Sequence, residues 1–124
     1  MKRLIAAAIL LVFVVSVYML GYFYTNNACD DARVILNNCV EKYINGNEAK
    51  KDAEELKDFW HKKEGILSIF ANHEEIDKIE LAINSLVVHS DTKDNKMFYE
   101  YSSTIKTLLH QLEEISKPTL HSIF

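Results

Sequence analysis

A chain of 124 residues, 48% of them apolar, with three glycines and one proline, has room for one small domain and few of the turns that a β-rich fold needs. Its formal charge of −4 comes from 14 Lys+Arg against 18 Asp+Glu. No basic patch stands out, which excludes nucleic acid as a partner, since binding there begins with neutralised phosphates.

Lys2 and Arg3 are followed by Leu4–Tyr24, 21 consecutive residues without a charged side chain. As a helix this run is ~31 Å long, against a bilayer hydrocarbon core of ~30 Å. Residues 1–24 therefore read as a transmembrane anchor, with the lipid bilayer as the first partner. A cleaved signal peptide has a shorter apolar stretch, roughly 7–15 residues, and a small-x-small cleavage site. Here the run ends in Tyr22-Phe23-Tyr24, the aromatic type that collects at the membrane interface. A lipoprotein reading of Cys29 fails at Asn26, which stands where an apolar residue is needed. The cations at Lys2 and Arg3, facing Asp30 and Asp31 on the other side, orient the span with its N-terminus in the cytoplasm. Residues 25–124 then form an extracytoplasmic domain of a single-pass cell-membrane protein. Setting aside Lys2 and Arg3 leaves 12 cations against 18 anions, so this domain carries a formal −6 and should project from the bilayer rather than lie on it.

Beyond the anchor, apolar residues recur at helical three- and four-residue spacing in four segments, and no alternating strand pattern competes. The first stripe is Cys29, Ala32, Leu36, Cys39 and Tyr43, stopped by Asn45-Gly46-Asn47. Asn47 is placed to cap the second helix, whose stripe is Ala49, Ala53, Leu56, Trp60, Leu67 and Phe70, with Gly65 a point for a kink. Asn72, followed by Glu74 and Glu75, marks the start of the third helix, with Ile76, Ile79, Ile83 and Leu86 inward. The fourth carries Phe98, Tyr101, Ile105, Leu108, Leu112 and Ile115 until Pro118 ends it. Leu120, Ile123 and Phe124 in the tail are expected to dock on the body. Short connections make successive helices antiparallel. The expected fold is thus all-α: a transmembrane helix followed by a small antiparallel bundle of two αα-hairpins. Leu36 and Cys39 precede Ile83 and Leu86 by 47 residues, an echo that leaves open a stacked, tetratricopeptide-like arrangement.

Cys29 and Cys39 are ten residues apart, ~15 Å along one helix, whereas a disulfide needs Cα atoms within about 7 Å. Either the helix breaks between them, or both pack in the core, or one pairs with another chain; Cys29 is the better placed for the last.

The anchor, Trp60 closing a charged stretch, the run Ile69-Phe70-Ala71-Asn72-His73-Glu74-Glu75-Ile76-Asp77-Lys78-Ile79 and a terminal Leu-x-x-Ile-Phe carry a resemblance. Over essentially the whole length the chain resembles a family of short membrane-anchored proteins of clostridia and other endospore-forming bacteria, catalogued as a domain of unknown function. Phe-x-Asn-His-Glu-Glu-Ile-Asp is the most specific segment; Ser122 departs from the family pattern, where Asn is expected. The resemblance implies a Gram-positive cell envelope and a membrane complex with another membrane protein, and no mechanism.

Several residues can carry chemistry or binding. His73 and Asp77 share a helix face, as two metal ligands would, but a zinc-protease motif needs histidine where Asp77 stands. Asn72, Glu74 and Glu75 also read as a capped helix start, with Asp77 paired to a nearby cation. Trp60 fits a core anchor or a binding hot spot. Asp58 and Lys62 are spaced for an ion pair, and His61, His89, His110 and His121 are scattered. No nucleophile–base motif or glycine-rich phosphate loop occurs, so the expectation is a non-enzyme without cofactor. Two functions follow: an envelope protein-interaction module, or an extracytoplasmic ligand- or metal-binding sensor.

Overall fold

The computed structural model describes residues 1–92 and 94–117. The tail from Pro118, with Leu120, Ser122, Ile123 and Phe124, lies outside the described residues. Four helices follow in chain order: α1 (Lys2–Ile44), α2 (Lys50–Phe70), α3 (His73–His89) and α4 (Asn95–Ser116), with no strand among the described residues.

The apolar run and the first amphipathic stripe form one helix. α1 has 43 residues and continues unbroken through Tyr24, so the bundle holds three helices beyond the one that begins in the apolar run. The physical reason is plain: Thr25 to Ala28 contain no proline or glycine. The one hydroxyl buried at the junction, Thr25, donates to the Gly21 carbonyl at 2.9 Å within the same helix. Along residues 4–20 most large apolar side chains are exposed, with Val15, Tyr18 and Met19 half-buried, and full burial begins at Gly21, Thr25 and Ala28.

Each helix packs on its two neighbours in the ring α1–α2–α3–α4–α1. The closing α1–α4 contact defines an up-and-down four-helix bundle rather than two hairpins stacked in a row. It is held by a bidentate ion pair, Arg33 to Glu113 at 2.6 and 2.7 Å, and by Tyr43 stacked on Phe98 at 3.7 Å between centroids. Lys42 pairs with Asp52 at 2.9 Å across the α1–α2 turn.

The predicted stripes largely coincide with the core. Cys29, Ala32, Leu36, Cys39, Ala49, Ala53, Leu56, Trp60, Leu67, Ile76, Ile79, Ile83, Leu86, Phe98, Ile105 and Leu112 are all buried. On α4 the core line runs through Leu109 and Ser102, leaving Ile115 exposed and Leu108 and Tyr101 at the edge. Phe70 is also exposed, because α2 ends there and its ring leans away from the core toward α1.

Local expectations are corrected in two places. The N-cap of α2 is Ala49, with no side-chain bond; the backbone N–H of Asn47 instead closes α1 on the Lys42 carbonyl at 2.8 Å. The helix continues through Gly65, whose missing Cβ faces open space. Asp58 and Lys62 form no ion pair with each other, and Asp77 has none among the described residues; on α3 the pair is Lys78 with Glu75 at 3.4 Å. Asn72 does cap α3, accepting the Glu74 N–H at 2.9 Å.

Candidate functional site at the span end of the bundle

The α2–α3 corner is built by a helix end, a two-residue link and a capped helix start. α2 stops when Ala71 turns to extended backbone, and Asn72 restarts the chain as α3. The corner lies against the last turn of the apolar run. A Cβ placed on Gly21 would overlap the Phe70 ring, so the absence of a side chain there lets the corner close on α1. A cleft of about 100 Å³ opens beside this contact, bounded by Tyr18, Tyr22, Phe70, Asn72 and Ile115. Of its lining, Phe70 and Ile115 are exposed apolar side chains, and Ile66 and Ile69 on α2 and Phe23 on α1 are exposed as well. The Lys63 ammonium lies 5.4 Å from the centroid of Tyr24 and 5.5 Å from that of Phe59, a cation–π arrangement at the same end.

Along the α2–α3 seam a polar cluster sits nearby. His61 and Glu64 occupy i, i+3 positions on α2, and Glu80 faces them from α3; one ligand atom from each lies within 4.8 Å of the others. His61 Nδ1 is 3.8 Å from Glu64. Burial and the adjacent Glu80 carboxylate push the Glu64 carboxyl up to about 7, against the pull of His61. Glu64 Oε1 is buried without a hydrogen-bond partner. A nitrogen and two carboxylates converging from two helices form a mixed donor set of the kind that holds zinc or manganese.

His73 and Asp77, the pair weighed from the sequence as possible ligands, are exposed on α3, and neither is in this set. Its sequence signal is the spacing His61-x-x-Glu64 on one helix, which a search for the Glu-x-x-His order passes over; Glu80 joins only through the α2–α3 seam. Trp60 is a core anchor: it is buried and its indole N–H donates to the Ile76 carbonyl at 3.4 Å, joining α2 to α3. Glu74 is exposed in the first turn of α3, and Glu75 is partly buried beside Lys78. Cys29 and Cys39 are free thiols in the core, fully buried on one continuous helix. Burial foremost pushes them up to about 12 and about 11, so pairing Cys29 with another chain would require unpacking α1.

A further surface lies on the outer face of α3 and α4. Leu81, Leu108 and Tyr101 line a shallow, mostly apolar groove, with exposed Val88 further along α3.

These features define a class: a four-helix bundle whose first helix is also long and apolar enough to cross a membrane. The sequence matches the family DUF4363, a domain of unknown function, over residues 19–123, and the chain belongs to that family. No curated protein and no solved structure matches the chain.

Proposed function

We propose that the protein is a single-pass cell-membrane protein of a Gram-positive envelope. Its N-terminus is cytoplasmic, its body extracytoplasmic, and it acts as an interaction module in a membrane complex. The observation that carries this reading is the outer α3–α4 groove. Leu81 and Leu108 expose apolar surface on a body that α1 carries as one piece with the span. The occupant is the extracytoplasmic part of another membrane protein, because a tether confines encounters to the plane of the bilayer and so raises effective concentration. A photo-crosslinker at Leu81 in intact cells should trap one dominant membrane-protein adduct, and Leu81→Glu should abolish its capture by a probe at Leu108. Adducts spread over unrelated proteins, or a pattern unchanged by Leu81→Glu, overturn the reading. Protease added to protoplasts should digest residues 25–124.

The His61–Glu64–Glu80 cluster favours a second reading, a metal-responsive domain. The full chain in detergent should melt at a higher temperature with excess zinc or manganese, as a ligand of the folded state requires. Glu80→Gln should remove that rise. An unchanged midpoint with both metals defeats this reading and leaves the first intact.

A further inference from the structure

We propose that the α2–α3 corner is itself seated in the membrane, making a second, shallow lipid contact beside the span. This rests on the membrane reading of α1 and goes beyond it, because a span alone requires no part of the body to enter lipid.

The argument begins with level. Phe70 packs on Gly21, which lies three residues, ~4.5 Å, inside the end of the apolar run at Tyr24. If the corner stood wholly in water, the hydrocarbon segment would have to end before Gly21. Leu4–Leu20 would then offer 17 residues, ~25 Å, short of the ~30 Å core. Seating the corner at the interface removes that mismatch.

Composition points the same way. Ile66, Ile69 and Phe70 are exposed in the last two turns of α2, Ile69 at 74%, and Ile115 of α4, 58% exposed, shares the cleft with Phe70. Single exposed apolar residues are ordinary; four gathered where the bundle meets an apolar helix are not. Tyr18, Tyr22 and Tyr24 supply the aromatic girdle expected at that depth, and Lys63 over Tyr24 places a cation where an alkyl stem can reach back to water. The occupant is the outer leaflet and not a second copy, because the patch is continuous with the bare surface of the span. The patch itself is apolar and needs no anionic lipid, while the exposed Asn72, His73 and Glu74 of the same corner keep the contact at headgroup depth.

The test uses the full chain in phosphatidylcholine nanodiscs, carrying an environment-sensitive fluorophore at Ile69→Cys, Leu81→Cys or Val12→Cys; the native thiols are buried and stay silent. The Ile69 probe should be blue-shifted, quenched several-fold more by doxyl lipids than the Leu81 probe, and shielded from aqueous iodide. An iodide-accessible Ile69 probe alongside a lipid-quenched Val12 probe overturns the corner contact and leaves the span standing. Shielding from iodide without lipid quenching means a protein covers the patch, and also overturns it. An iodide-accessible Val12 probe removes the span and the corner together.

Discussion

Glu64 shows how much one side chain can set here. A glutamate ordinarily titrates near 4.5, whereas burial and Glu80 hold the Glu64 proton in the folded chain up to about 7. Between those values the folded state binds more protons than the unfolded one, so stability falls as pH rises through that window. The contribution is complete below 4.5 and gone above about 7. The midpoint of thermal unfolding should therefore drop between about pH 5 and about pH 8, and Glu64→Gln should flatten that drop. An equal slope in the variant would mean that other groups carry the dependence. Glu64 escapes sequence reasoning because its neighbour is 16 residues away on another helix. A local charge run reads as a solvated face until the α2–α3 seam brings two such runs together. Trp60 and the two cysteines were legible as core residues, since each falls on its stripe, but the stripe does not reveal that the Trp60 indole crosses to α3.

Helix starts separate what local chemistry can decide from what packing decides. Asn72 precedes two glutamates and a run of inward isoleucines, and it caps α3 as its neighbours dictate. Asn47 has the same credentials, yet α1 closes through its backbone and α2 begins later, at Lys50, without a capping side chain. Asn72→Ala should accordingly cost ~1 kcal/mol in denaturant unfolding. Asn47→Ala should stay within about 0.5 kcal/mol, as surface changes away from such features do. Equal losses at the two sites would contradict the cap assignment. On α4 the three-four spacing alone admits more than one phase, because Leu108 and Leu109 are adjacent. The position of α1, through Arg33 and Tyr43, turns Leu109 inward.

At the scale of the molecule, four helical stripes announce an all-α body but not its closure. Spacing treats a stacked array and a ring alike; what distinguishes them is the α1–α4 seam, formed between residues 80 positions apart, Arg33 and Glu113. Glu113 is 13% exposed in its side chain and Arg33 28%, so the pair is partly shielded from water. Glu113→Gln leaves the Arg33 guanidinium with the more exposed Asp30 as its remaining acid and should cost about 1 kcal/mol by unfolding midpoint. A loss near zero would assign ring closure to the apolar contacts alone. Hydropathy falls at Thr25, but the domain's first contact, Gly21 with Phe70, lies inside the apolar run, and the family match likewise opens at residue 19.

Because α1 passes through the junction without a break, on the membrane reading proposed above it would behave as a mast rather than a leash. From Leu20 to Ile44 the helix rises ~36 Å, so leaning the embedded part by about 20° would swing the far turn of the body sideways by about 12 Å. Changes in bilayer thickness or in the company the span keeps would thus be amplified into displacement at the distal loops, with no hinge to absorb them.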